Sequence, residues 1–275
     1  MLKLKLKNMD LDQLNYEQLE ALIDEMLNHI GATDPELRDQ LIYPTFIKII
    51  SDNRLSDLQY QHILATCLDD KHLFYKIGEK HTDAVFTRSF SSLVITALIH
   101  QDRDTGVLSK DDIKTVYHKT ITYLKHEQDT RGYVPGKGWA HSIAHGADLL
   151  ASLAAHPKIN LDTYIETLDT IQHCLFKDAT YIDEEDERLI FVIEVLVEKG
   201  LSDRHLEQWV LQLFKQLELM YTDNGPSNHY YRTKFTITTF VKSLYFRLGF
   251  KYNTSRTRRL INDQLKQLHQ QTYGV

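Results

Sequence analysis

The sequence has little cysteine and no long apolar run. Only two of its 275 residues are cysteines, Cys67 and Cys174, and both stand at apolar positions of helical patterns. So few cysteines exclude a disulfide framework and indicate a reducing compartment, so we expect a cytoplasmic protein. Because no apolar run approaches the roughly 18 residues that a bilayer span needs, we expect no membrane span.

The sequence also has no large excess of either charge. Its 32 basic and 38 acidic residues give a net charge of −6, whereas nucleic-acid binding usually needs a basic face. We therefore expect no nucleic-acid partner. The first residues alternate leucine with lysine and have no continuous apolar segment, so they are not a signal peptide. We expect residues 1–10 to be an N-terminal extension, either a short strand or disordered.

Strand patterns are nearly absent beyond that extension, and glycine and proline fall mostly at joints between helical patterns. Asn15 with Gln18 and Ser109 with Asp112 have the spacing of helix-capping pairs, and Pro44 should break or kink the helix that contains it. The pattern predicts an all-α fold of antiparallel helices stacked as an α-solenoid or α/α superhelix. No linker-like composition divides the chain, so we expect residues 1–275 to form a single domain.

One segment stands out, a glycine-rich loop that runs into a helix predicted from about Trp139 to His156. On a helical wheel His141, His145, Asp148 and Ser152 form one narrow polar line, and apolar residues occupy most of the remaining surface. A helix that is apolar nearly all round is buried, and buried polar groups are costly unless they are hydrogen-bonded. The polar line is therefore expected to face an internal cleft.

Several blocks between residues 88 and 245 resemble a known bacterial family. They are Arg88–Ser91, Asp129–Gly132, Lys137–His141 with Ala144–His145 and Ala147–Leu150, then Glu185–Leu189 and, more loosely, Lys242–Tyr245. The family is domain of unknown function 2785. The resemblance implies a helical protein without an assigned activity, so predictions of function depend on the residues themselves.

The two histidines suggest a metal site. His141 and His145 stand at i and i+4, a spacing at which two imidazoles can bind one divalent metal such as zinc. Asp148 is better placed as a hydrogen-bond acceptor for the His145 ring, and a third ligand would come from Glu185 or Asp186. Two alternatives remain open: the histidines are hydrogen-bonded packing residues, or a His145–Asp148 pair performs acid–base chemistry. The acidic run 183–187 is otherwise a solvated helix start.

Three basic residues suggest an anion site. Lys137, between two glycines before the helix, could help to form one with the positive end of the helix dipole, although the loop could equally be a tight turn. Arg131 either contacts a ligand or braces that loop through Asp129. Arg88 lies on an otherwise apolar helix and needs a partner, either a carboxylate (Asp148 or Asp186) or an anionic ligand.

Two functions fit these residues. The first is binding of a small anionic molecule or peptide in a polar cleft, with contacts from Arg88, Arg131, Lys137 and Trp139. The second is a metal-dependent or acid–base hydrolase, with His141, His145 and Asp148 as candidate catalytic residues. The sequence shows no Gly-x-Ser-x-Gly, Rossmann or Walker pattern.

Overall fold

The computed structural model describes residues 2–274, with the backbone alone at Asn224. About 72% of the chain is helical, more than twice the share in a typical soluble domain, so the predicted all-α fold is confirmed. Internal contacts divide the chain into two compact units, residues 1–159 and 160–275. The single domain and the superhelical stacking expected from the sequence stay predictions, and Met1 and Val275 lie outside the described residues.

The elements are numbered in chain order. The first unit contains α1 (Leu2–Asn8), α2 (Tyr16–Asn28), a π-helix (Glu36–Ile42), α3 (Tyr43–Ser51), α4 (Asp57–Cys67), α5 (Ala84–Thr105), α6 (Lys110–His126), β1 (Tyr133–Val134), β2 (Gly138–Trp139) and α7 (Ser142–Ala155). The second unit contains α8 (Tyr164–Leu175), α9 (Glu185–Glu198), α10 (Asp203–Asn224), α11 (Asn228–Lys251) and α12 (Ser255–Tyr273). Short 3₁₀ turns lie at Leu11–Gln13 and Leu161–Thr163.

The N-terminal segment is a helix, so the expected strand or disorder was wrong. Lys3 and Lys7 stand four residues apart and therefore lie on one face of the helix. Both pair with Glu36. Lys5 pairs with Glu25 at 2.7 Å, and Leu2 is buried. Alternation of leucine and lysine indicated a strand, but acidic partners on neighbouring elements stabilise the helix instead.

Local signals placed the starts of α2 and α6 correctly. The capping boxes at Asn15 with Gln18 and at Ser109 with Asp112 are both present. Near Pro44 the chain does not break, but the segment before it is a π-helix in which the Tyr43 N–H donates to the Arg38 carbonyl. Proline has no N–H to donate, and a wider turn accommodates that missing bond.

Helix α5 lies at the centre of the first unit, where it packs against α3, α4 and α7. Phe86 and Phe90 of this helix are both buried. In the second unit α9 packs against α8 and α11, while α10, α11 and α12 pack on one another. Cys67 and Cys174 are both buried, as their apolar positions predicted. Among the described helices, none combines the length and apolar character required to cross a membrane.

Candidate functional site

The polar line predicted on α7 is present as a half-buried face. We call it the histidine face, and it consists of His141, His145, Asp148 and Ser152, which are each partly accessible. The residues between them are buried, apart from the small Ala151. The order of polar and apolar residues thus marks the partly accessible side of the helix, and the internal cleft expected there stays a prediction.

The helix itself begins later than predicted, at Ser142 rather than near Trp139. Tyr133 and Val134 pair with Trp139 and Gly138 in a short antiparallel hairpin, and the His141 N–H then donates to the Arg131 carbonyl. His141 turns the chain from the hairpin into the helix with a left-handed backbone, φ 45° and ψ 35°. A non-glycine residue in that region is strained, and such strain concentrates at functional sites.

The glycine loop is the turn of this hairpin, so the tight turn is present, which was one of the two possibilities that the sequence left open. Gly138 has φ +80°, and a Cβ added there would lie 2.8 Å from Asp39 Oδ2 and 2.9 Å from Arg38 Nη2. Lys137 Nζ lies 2.7 and 2.8 Å from the two carboxylate oxygens of Asp83. The loop is therefore a tight turn against the π-helix, and its lysine is already ion-paired.

A buried arginine that the sequence reasoning missed holds the hairpin in place. Arg38 is fully buried, with its guanidinium 4.3 and 4.7 Å from the ring centres of Phe86 and Phe90. It donates to the Ala32 and Lys137 carbonyls, both at 2.6 Å. Its Nε lies 2.8 Å from Asp39, although burial lowers the pKa of Arg38 and raises that of Asp39. The sequence signal that could have identified this arginine was the adjacent charged pair Arg38 and Asp39, a few residues before Pro44.

Asp39 in turn holds the backbone of Trp139, beside the histidine face. Its carboxylate accepts a hydrogen bond from the backbone N–H of Trp139. The Trp139 ring stacks on His141, with ring centres 4.3 Å apart and planes inclined by 28°. Tyr133 lies edge-on to Trp139 at 5.1 Å. The hairpin thus presents two aromatic rings beside the first histidine.

Arg88 pairs with Glu127, so the expected partners Asp148 and Asp186 were wrong. Its Nε and Nη2 donate to the two Glu127 oxygens at 2.6 and 2.7 Å, with both side chains fully buried. The remaining donors bond carbonyls of the loop before α5, at Tyr75, Lys76 and Glu79. The guanidinium therefore anchors a loop to α6, and its ligand-binding role predicted from the sequence gains no support.

Arg131 braces the loop before the hairpin, which is one of the two roles that the sequence suggested for it. Its guanidinium binds Asp129 in a two-point contact at 2.8 and 2.7 Å and donates to the Thr82 carbonyl. Asp129 also accepts the His81 N–H at 2.8 Å. Arg131 and Asp129 thus hold the loop before α5 and the loop before the hairpin together.

His145 is oriented by α5. The Ser89 hydroxyl lies 2.7 Å from His145 Nδ1, and the Phe90 ring meets the imidazole edge-on at 5.6 Å. His141 lies 5.6 Å from His145 between ring centres, with the planes at 88°. The Ser89 contact at Nδ1 and the neighbouring aromatic rings therefore fix the orientation of the imidazole.

The contact between Ser89 and His145 has the geometry of a nucleophile and its base. Ser89, however, is completely buried in the middle of α5, where backbone N–H groups bond within the helix. A substrate would have neither a path to the hydroxyl nor free backbone donors for an oxyanion. The contact therefore positions the imidazole rather than activating the serine.

Asp148 lies on the histidine face beside the π-helix junction. Tyr43 is half-buried there, and its pKa is raised first by burial and then by the negative charge of Asp148. The Tyr43 ring also meets Phe90 edge-on at 6.2 Å. The carboxylate is thus close to a phenol as well as one turn from His145.

Glu185 and Asp186 belong to the second unit, at the start of α9. Both are buried, so the solvated helix start is wrong for these two residues. Burial raises the pKa of Glu185 to about 7 and raises that of Asp186. Glu184, just before them, has a left-handed backbone with φ 68°. Their role as metal ligands stays a prediction.

A family model described as a protein of unknown function (DUF2785) matches residues 73–246. The match covers more than half of the chain and includes the hairpin and α7. No curated protein and no solved structure matches the sequence. The chain belongs to the DUF2785 family, as its sequence blocks suggested.

Proposed function

We propose that the protein binds a small anionic molecule with a flat apolar group at the histidine face and the neighbouring hairpin. The observation that carries this proposal is Trp139, a large aromatic side chain that is 41% exposed and stacked on His141. Tyr133, beside it, is 54% exposed. Ligand sites are usually apolar surfaces with a few well-placed polar groups. Here Tyr133 contacts Trp139, Trp139 stacks on His141, and His141 contacts His145.

The rigidity of the hairpin supports binding. Trp139 is held through its backbone by Asp39, and the adjacent Gly138 lies against Arg38. Ordering a mobile side chain costs about 0.5–1.5 kcal/mol on binding. The Trp139 ring is already stacked on His141, which lowers that cost.

The imidazoles are the groups best suited to contact the anion. Arg88, Arg131 and Lys137 already bind carboxylates, so they offer little charge to a ligand. An imidazole ring has two nitrogens, and each N–H that it carries can donate a hydrogen bond to an anion. The two imidazoles are therefore the side chains of this face that can bind the anionic group.

A metal-dependent hydrolase is the second candidate. It is favoured by the near-perpendicular His141 and His145 rings and by the Ser89 contact at Nδ1 of His145. A hydrogen bond at one imidazole nitrogen commonly orients the other toward a metal. Zinc would suit imidazole ligands, and the sequence predicts Glu185 or Asp186 as a further ligand.

Fluorescence of Trp139 can test both candidates. The chain has two tryptophans, and Trp209 is buried, with its Nε1 bonded to the Leu168 carbonyl, so Trp209→Phe leaves Trp139 as the only indole. Benzoate, which combines a flat ring with a carboxylate, should change this fluorescence saturably. His145→Gln should weaken binding about 10–100-fold, the loss of a charge-assisted hydrogen bond.

Matched variants separate the outcomes. His126→Gln alters an exposed histidine of α6 that bonds its own helix and should leave benzoate affinity unchanged. Zinc in place of benzoate tests the second candidate, which expects saturable binding that His141→Ala and Glu185→Gln each weaken. Zinc binding without benzoate binding would replace the first candidate by the second. If neither probe changes the Trp139 signal, both candidates are wrong.

A further inference from the structure

A cleft in the second unit lies among α10, α11 and α12, and its lining residues all belong to that unit. Its volume is about 510 Å³, within the range of pockets that hold small-molecule ligands. Phe214 and Leu217 are buried at its base. We propose that this cleft binds a neutral, hydroxyl-rich ligand, a carbohydrate of one or two rings.

One wall of the cleft is a group of three tyrosines. Tyr221 and Tyr230 have ring centres 4.9 Å apart, and Tyr230 and Tyr231 have ring centres 5.3 Å apart. Tyr230 is mostly buried, whereas Tyr221 and Tyr231 are 48% and 56% exposed. Sugar rings present apolar C–H faces that pack on aromatic rings, and each tyrosine adds a hydroxyl that both donates and accepts.

A second group of lining residues consists of glutamines of α12. Gln264, Gln267 and Gln271 line the cleft at spacings i, i+3 and i+7, which lie on one helix face. A helix that packs on a core usually has apolar residues on that face. Carboxamides there offer two donors and an acceptor each, a match for hydroxyl groups, which need both.

The charge of the cleft favours a neutral ligand. Among the described residues that line it, the charged side chains are Lys234 and Glu218, one of each sign. Lys234 Nζ donates to the Thr272 hydroxyl at 2.9 Å, which places a further hydroxyl at the rim. A phosphorylated or dicarboxylate ligand would face one cation and one anion, whereas a sugar needs neither.

Saturation-transfer NMR on the full chain with glucose, maltose and cellobiose tests the proposal. We expect transfer to the ring C–H protons of at least one sugar. Gln267→Ala should weaken its binding about fivefold, the loss of one hydrogen bond, and Tyr231→Ala about tenfold, the loss of a stacking ring. Both side chains are exposed, so neither change should disturb folding.

Tyr273→Ala is the matched control. Tyr273 is exposed on α12, the helix of Gln267, where its ring contacts His269, and it is not among the residues that line the cleft. It should leave sugar affinity unchanged. The absence of transfer to all three sugars would overturn the proposal, and so would binding that Tyr231→Ala leaves intact. Adenosine monophosphate binding more tightly than the sugars would also overturn it, in favour of a charged ligand.

Discussion

Replacing Glu127 with alanine should strongly destabilise the first unit. The Glu127 carboxylate accepts Nε and Nη2 of Arg88 and also the backbone N–H groups of Gln128 and Asp129, at 2.9 and 2.8 Å. Both bonds to Arg88 and the bond from Asp129 are buried. Removal of the carboxylate leaves the Arg88 guanidinium buried without an opposite charge.

The expected cost follows from that uncompensated charge. Removing one partner of a buried ion pair costs about 3–5 kcal/mol, whereas an exposed pair contributes about 0–1 kcal/mol. For a protein of this size, each 1 kcal/mol lowers the melting temperature by roughly 2–4 °C. We therefore expect Glu127→Ala to lower it by roughly 6–20 °C.

Urea unfolding followed by circular dichroism measures this loss. Lys137→Ala is the control, because it breaks an exposed pair with Asp83, whose side chains are 41% and 48% accessible. Double replacement by Arg88→Met and Glu127→Leu removes both charges and should cost less than Glu127→Ala alone. A loss no larger for Glu127→Ala than for Lys137→Ala would refute the assignment of this pair as the anchor of the loop.

Two further changes test the hairpin and a buried histidine by the same unfolding assay. Gly138→Ala should cost more than Gly136→Ala, since both positions have positive φ but only Gly138 has atoms within 4 Å of an added Cβ; equal losses would contradict close packing on Arg38. His156 is fully buried, and burial lowers its pKa. As the pH falls below about 6.5, the unfolded state therefore binds a proton before the folded state does. The free energy of unfolding should then fall, by at most about 1.4 kcal/mol per pH unit. His156→Gln should reduce this dependence of stability on pH. Plots of the free energy of unfolding against pH that run parallel for the variant and the unchanged protein would contradict this expectation.

Helix positions and the histidine face could be predicted from the sequence because they depend on residues close together in the chain. The Asn15 capping box needs only Gln18, three residues away, and both bonds form. The partly accessible side of α7 follows from the order of polar and apolar residues within a single helix. The start of α7 was misplaced because Trp139 pairs with Tyr133, and that pairing begins before the helical pattern does.

Partners of the buried charges were decided by the tertiary structure. Arg88 meets Glu127, 39 residues away, although Asp148 and Asp186 suited it equally by charge. Arg38 meets the Lys137 carbonyl across 99 residues, and no local pattern marks that contact. An ion pair depends on which helices become neighbours and where their side chains end, and that arrangement is fixed only when the apolar faces pack. The sequence by itself therefore determined where polar groups stand on each helix, and the packing decided which of them are already bound to one another.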